Sequence, residues 1–341
     1  MRIATYNVEW FNSLFDDQDA LIADDGWSGR WDVTRAQQVE ALGIVFTALD
    51  ADAVMVIEAP DKNGHRDTVT ALENFARAFD LRAHKAVMGF KNDTQQEIAL
   101  LYDPDKLSAR HDPIGAETGK KGAPDMPRFD GVFRIDLDID ATEDLVRFSK
   151  PPLELSIETK AGTRLRLIGA HLKSKAPHGA RNRDQVMQIS IANRRKQLAQ
   201  AIWLRGRITA HLQQGEALVL LGDLNDGPGL DEYEHLFGRS SIEIVLGQED
   251  GPCLFDPHAQ EALRRRLGPV PTSARFFLKK QGRYLQALLD YVMISQDLRE
   301  RNPRWRIWHP FDDHDCWQVP ELRSALLTAS DHFPVVLDID I

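Results

Sequence analysis

The feature that most constrains this chain is the alternation of short apolar runs with longer amphipathic stretches. That pattern belongs to an α/β protein, not to a helical bundle or a sandwich of strands alone. Strand-like runs are clearest at residues 2–7, 53–57, 98–102, 153–157, 166–172, 217–221, 289–294 and 335–339. Helical spacing is clearest over residues 34–49 and 67–79. A long helix is expected from Asp184 to about Leu212, carrying Val186, Ile189, Leu198, Ile202 and Trp203 inward. There is no internal repeat. Residues 12–33, acidic with Trp27 and Trp31, and residues 111–130, rich in Gly, Pro and charge, read as excursions that either rim a site or cover the surface.

Composition sets outer bounds. With 43% apolar and 28% charged residues over 341 positions, disorder across the whole chain is excluded. No compositional shift marks a linker, so one domain over residues 1–341 is expected. A net charge of −10 argues against coating nucleic acid by sheer basicity, although a cluster of metal-binding carboxylates would itself add to that acidity. Cys253 and Cys316 lie far apart without His or Cys neighbours at zinc-ligand spacing, so two thiols are expected and neither a disulfide nor a zinc site. The chain reads straight into a strand from Met1, and no apolar run approaches the roughly 18 residues of a membrane span, so a cytoplasmic protein without a membrane span is expected.

The chemistry lies in where polar residues fall. Asn7 and Glu9 follow the first strand; Glu58 ends Ala53-Val54-Met55-Val56-Ile57; His171 ends Leu167-Ile168-Gly169-Ala170; Asp223 and Asn225 follow Leu218-Val219-Leu220-Leu221-Gly222. A lone carboxylate after a strand is usually a turn former or a cap. Their repetition at separate strand ends is what points to a site. Carboxylates and amide carbonyls are the hard oxygen ligands that suit Mg²⁺ or Mn²⁺, and Asn7, Glu9, Glu58 and Asp331 are of that type. In Asp223-Leu224-Asn225 two polar side chains share a side if the backbone stays extended, so the acid could orient or deprotonate a water while the amide donates to a phosphoryl oxygen. Ser330-Asp331-His332-Phe333-Pro334 sets an acid beside an imidazole, and Asp290 offers His332 a carboxylate to fix its tautomer and raise its basicity.

In order, Tyr6-Asn7-Val8-Glu9, Val56-Ile57-Glu58, Glu97-Ile98-Ala99-Leu100-Leu101-Tyr102, His171-Leu172-Lys173-Ser174-Lys175, Gly222-Asp223-Leu224-Asn225, Leu289-Asp290-Tyr291-Val292 and Ser330-Asp331-His332-Phe333-Pro334 resemble the endonuclease/exonuclease/phosphatase superfamily. The match spans nearly the whole chain. It implies a four-layer α/β sandwich, two mostly antiparallel sheets packed face to face with helices outside, and a site at one edge where these strand ends meet. It implies that Asn7 and Glu58 hold the metal, with Glu9 and Asp331 as further ligands, and that Asp223 and Asn225 handle water and phosphate. His332, supported by Asp290, would be general base or phosphate ligand. His171 would contact the phosphate or protonate the leaving oxygen, and Glu97 resembles the acid that orients that histidine in pancreatic-type deoxyribonucleases. The histidine at 171 is similar to deoxyribonuclease-like and bacterial nuclease members, where abasic-site endonucleases carry a tyrosine. Lys150, in Phe148-Ser149-Lys150-Pro151-Pro152-Leu153, stands where bacterial members commonly carry an Arg, and a Lys supplies a point charge in place of a bidentate fork.

Basic residues gather in Arg264-Arg265-Arg266, from Arg275 to Lys280 around Phe276 and Phe277, and from Lys173 to Arg183. Lys150, Lys173 and Lys175 are the candidate phosphate contacts. The leading expectation is a nuclease acting on DNA or RNA phosphodiesters; the rivals are a phosphatase or phosphodiesterase of a small molecule or lipid headgroup, and a non-catalytic interaction module. No protein partner is evident in the sequence.

Overall fold

The computed structural model describes residues 1–137, 143–177, 179–227, 238–248, 250–264, 270–279 and 281–341. The first half runs β1 (Arg2–Asn7), α1 (Arg35–Leu49), β2 (Ala53–Ala59), α2 (Thr68–Ala78), β3 (Lys85–Met88), β4 (Glu97–Tyr102), β5 (Leu107–His111), β6 (Phe133–Ile135), β7 (Asp144–Val146), β8 (Leu153–Thr159) and β9 (Arg164–His171). The second runs α3 (Arg183–Gln213), β10 (Leu218–Asp223), α4 (Ser241–Leu246), β11 (Leu254–Phe255), α5 (Pro257–Arg264), β12 (Ala274–Leu278), β13 (Arg283–Ala287), β14 (Asp290–Ser295), β15 (Arg304–Ile307), α6 (His314–Gln318), α7 (Pro320–Ala329) and β16 (Val335–Asp338).

Two six-stranded sheets result, ordered β15-β16-β1-β2-β4-β3 and β11-β14-β10-β9-β8-β5. Only β1 with β2 and β9 with β10 pair in parallel; the other pairs in these sheets are antiparallel. Period-two alternation then assigns each residue a layer. Ile3, Met55, Ile57, Leu165, Leu167, Val219, Leu221, Val292 and Ile294 fill the space between the sheets. Ala4, Tyr6, Val54 and Val56 face the outer layer with Val39, Leu42, Phe46, Phe75 and Leu326 of α1, α2 and α7. Ile168, Leu218, Leu220 and Met293 face Trp203, Leu204 and Ile208 of α3 and Ile242 of α4. The four-layer α/β sandwich is therefore written into strand parity.

Parity also positions the site. Asn7, His171, Asp223 and Asp290 share the alternation of the inner face, so all four emerge at one open end of the space between the sheets. The first three helices start on capping side chains: Thr34 and Gln37 form a capping box for α1, Asp67 accepts from Thr70 N for α2, and Asn182 from Gln185 N for α3.

Three expectations need adjustment. Val186 is exposed and Ile189 only half-buried, whereas Leu198 and Trp203 further along α3 are buried. The excursion at 12–33 is partly core, burying Leu14 and Phe15 and folding back through bridges Phe15↔Leu21 and Trp27↔Thr34. The segment 111–130 packs along α3, where Trp203 Nε1 donates to Pro127 O at 2.8 Å, and lines no part of the cleft described below. Both cysteines are free thiols, Cys316 buried and Cys253 half-buried. Among the described residues no helix is long and apolar enough to cross a membrane.

Candidate active site

A cleft of about 920 Å³ opens at that end, lined by Asn7, Glu9, Glu58, Lys150, His171, Lys173, Lys175, Asp223, Asn225, Asp331 and His332. Strand parity alone would send Glu58 outward with Val54 and Val56. A β-bulge between Ile57 and Ala59 intervenes, with Glu58 in the left-handed region at φ 62°, and turns its carboxylate into the cleft. Gln96 Nε2 donates to Glu58 Oε2 at 2.6 Å, while Oε1 lies 3.9 Å from Lys150 Nζ and 4.0 Å from His171 Nε2. Burial raises the Glu58 pKa more than Lys150 and His332 pull it down.

Asn7 Nδ2 donates to Asp223 Oδ2 at 3.0 Å, yet its Oδ1 is buried without a hydrogen-bond partner. Glu9 pairs with Arg30, but burial and the charge of Asp331 push its pKa up to about 7. A buried, unpaired amide oxygen beside carboxylates that raise one another is a set a hard dication would relieve. The residues present thus fit Mg²⁺ or Mn²⁺, with Asn7 Oδ1 and Glu58 Oε1 the best-placed donors and Glu9 and Asp331 beside them.

Adjoining this pole, through the Asn7–Asp223 hydrogen bond, is a proton-handling one. Asp223 Oδ1 accepts from Asn225 N at 2.8 Å, and its Oδ2 accepts from Asn225 Nδ2 at 3.1 Å. Burial, partly offset by His332, pushes the Asp223 pKa up to about 7. Asn225 itself sits at φ 50°, a conformation Asn tolerates, so Asp223 and Asn225 meet through a turn and not along an extended strand. His332 Nδ1 lies 2.7 Å from Asp290 Oδ2, which also accepts from Ser273 Oγ at 2.8 Å. Burial opposes charge on His332, but Asp290, Asp223 and Asp331 outweigh it and hold the imidazole well above its ordinary pKa. His171 is the reverse case: burial, with Lys150 beside it, keeps it neutral. Lys150 Nζ lies 3.2 Å from His171 Nδ1.

Asp223, Asp290 and His332 also bring potential ligand atoms within 4.8 Å of one another. The Asp290–His332 bond already occupies the imidazole Nδ1, however, and the all-oxygen set at Asn7 and Glu58 matches a hard dication better.

Two candidates are placed differently from expectation. Glu97, buried at the start of β4, takes Asn92 Nδ2 at 2.7 Å and Asn92 N at 3.2 Å, and so braces the 92–96 turn; His171 is faced instead by Lys150, Glu58 and Asp223. Lys175 lines the cleft but its ammonium is engaged by the buried Asp226. Lys173 lines the cleft with its backbone N held by Gln200 Oε1 at 2.8 Å. Of the basic runs, Arg265, Arg266 and Lys280 lie outside the described residues.

The Endonuclease/Exonuclease/phosphatase family matches residues 4–332. The chain belongs to that family. No curated protein sequence matches it. Among solved structures, TDP2 from Caenorhabditis elegans aligns with 100% of this chain and 75% of its own at TM-score 0.53 and 14% identity. An AP endonuclease from Archaeoglobus fulgidus aligns over 100% of both chains at TM-score 0.51 and 13% identity. ANGEL2, described as a 2′,3′-cyclic phosphatase in complex with adenosine-2′,3′-vanadate, aligns over 100% of this chain and 96% of its own at TM-score 0.52 and 13% identity. At these identities the likeness shows the fold. Members of the Endonuclease/Exonuclease/phosphatase family are hydrolytic phosphoesterases and generally depend on a divalent metal, which supports a phosphoesterase here.

Several residues of this family member's cleft carried no readable signal. Gln96 holds Glu58 from a separate turn. Ser273 donates to Asp290 from the β12 side, 17 positions away. Ser330 Oγ donates to Asn7 O at 2.8 Å and receives Glu9 N and His332 N, tying the two poles together; it was visible only as part of a motif. The β12–β13 hairpin leans over the site, with Phe276 edge-on to His332 at 5.4 Å and Leu278 and Leu285 lining the cleft. In sequence it read as a basic run with Phe276 and Phe277 between its charges.

Proposed function

We propose that this protein is a divalent-metal-dependent phosphodiester hydrolase acting on DNA or RNA by in-line attack of water. The observation that carries the reading is the direct contact, in one cleft, of an oxygen-donor pair with titrating groups: Asn7 Nδ2 donates to Asp223 Oδ2 at 3.0 Å, Glu58 Oε1 lies 4.0 Å from His171 Nε2, and His332 lines the same cleft. A bound Mg²⁺ or Mn²⁺ would supply Lewis-acid charge to the phosphate oxygens and the leaving group.

The protein groups do the rest. Asp223, with a pKa near the working pH, orients water and accepts its proton. Asn225 and the charged His332 donate to the phosphoryl oxygens as negative charge grows there, and Asp290 fixes the imidazole. Neutral His171, with Lys150 against it, contacts the phosphate on the leaving side, so the pair can return a proton to the departing oxygen. Lys173 adds charge at the cleft wall.

A substrate panel with Mg²⁺ or Mn²⁺ tests this: plasmid, single-stranded DNA, RNA, bis-p-nitrophenyl phosphate and p-nitrophenyl phosphate. Turnover of a nucleic acid and of the diester is expected. Activity confined to the monoester would overturn the nuclease reading.

A further inference from the structure

The cleft has two unlike walls. On one side stand the apolar Phe276, Leu278 and Leu285 of the β12–β13 hairpin. On the other, α3 lies against the segment after β9, and its inward face can be followed residue by residue. Asn193 Nδ2 donates to Ala176 O at 3.0 Å, Gln197 Nε2 to Lys173 O at 2.9 Å, and Gln200 Oε1 accepts from Lys173 N at 2.8 Å. Lys196 lies one helical turn before Gln200 and three residues after Asn193, so it shares this face and projects beside Lys173. Its Nζ reaches Ser149 Oγ at 3.4 Å, and Ser149 lines the cleft next to Lys150.

Among the described residues neither Lys173 nor Lys196 is ion-paired with a carboxylate, in a chain where most buried cations are. Burial, reinforced by the charge of Lys173, lowers the Lys196 pKa. Two neighbouring ammoniums beside a serine hydroxyl, half-withdrawn from water and without a counter-charge, are matched by an anion from outside the chain.

We propose that Lys196, with Lys173 and Ser149, forms a second anion subsite that takes the phosphate next to the scissile one, so that the preferred substrate carries at least two consecutive phosphates. This rests on the nucleic-acid reading above and narrows it to polynucleotide chains over single-phosphate diesters. Among the described residues, the hairpin lines the cleft with Phe276, Leu278 and Leu285 and with no cation to compete for that phosphate.

The test uses bis-p-nitrophenyl phosphate hydrolysis as reporter and compares inhibition by adenosine 5′-monophosphate and adenosine 3′,5′-bisphosphate, in the unmodified protein, Lys196→Gln and Lys196→Arg. The bisphosphate should inhibit about tenfold more tightly than the monophosphate in the unmodified protein, equivalent to about 1.4 kcal/mol. Lys196→Gln should erase that preference and Lys196→Arg keep it, with turnover of the reporter alone unchanged in all three. Equal inhibition by the two nucleotides, or a preference surviving Lys196→Gln, would overturn the subsite. Cleavage of oligothymidylates in parallel separates the two claims. If they are cut but the bisphosphate preference is missing, the subsite fails and the nuclease reading stands; if the preference is present and lost in Lys196→Gln but no oligonucleotide is cut, the nuclease reading fails alone.

Discussion

Glu58 reaches the cleft only because one non-glycine residue holds a left-handed conformation, which costs about 1–3 kcal/mol unless its surroundings over-determine it. Gln96 supplies part of that determination by fixing Oε2 and leaving Oε1 to face the site. Gln96→Ala should therefore raise the Mg²⁺ concentration for half-maximal activity by about 10-fold with little change in maximal rate. A lowered maximal rate at unchanged Mg²⁺ demand would place Gln96 elsewhere in the chemistry. Asp290 fixes the His332 ring in the same manner, so Asp290→Asn should reduce kcat/KM by about 10²–10⁴-fold while the melting transition stays near that of the parent protein. At this scale the sequence was legible wherever a polar residue closed an apolar run, as at Asn7, His171 and Asp223. It was not legible for Gln96, Ser273 or the true partner of Glu97, because side-chain hydrogen bonds between separate turns leave no periodic trace.

Among the elements, β10 shows how tightly the site is built into a sheet. Gly222, just before Asp223, has φ +136°, and a Cβ there would stand 2.0 Å from Ala170 O on the neighbouring β9. Gly222→Ala should cost more than about 2 kcal/mol and pull His171 and Asp223 apart. Urea denaturation and activity should both register the change; a variant as stable and active as the parent would show that the two strands need no such approach. The principal strands were readable from their apolar runs, and with them the layer each residue joins. The bulge at Glu58 was not, since a single extra residue is invisible to alternation. Nor was the β12–β13 hairpin: its apolar face of Ala274, Phe276, Leu278, Leu285 and Ala287 is short, and Arg275, Phe277, Tyr284 and Gln286 on the other face blur the alternation.

For the molecule as a whole, two groups of carboxylates are shifted in opposite directions. Asp313 is typical of the first: burial alone would raise it, but Arg306 Nε at 2.6 Å and Cys316 N at 2.9 Å hold it below its ordinary pKa, as Arg166 does for Asp112. A folded pKa below the unfolded one stabilises the fold above the unfolded value, and that stability is lost as pH falls through the folded value. Stability measured by urea denaturation should thus fall steeply on the acid side of the usual carboxylate range, and Asp313→Asn should be less stable than the parent near neutrality but lose less on acidification. Identical acid limbs would remove Asp313 from the account. The second group, at the cleft, is held up by burial and mutual repulsion, and the proposed function assigns it a divalent ion. The most direct measurement is hydrolysis of bis-p-nitrophenyl phosphate by the purified protein with Mg²⁺, with EDTA, and with His332→Ala. The account predicts turnover with Mg²⁺, its loss in EDTA with recovery on adding Mg²⁺ back, and a fall of at least about 10²-fold in folded His332→Ala; unchanged turnover in EDTA or in His332→Ala would contradict it.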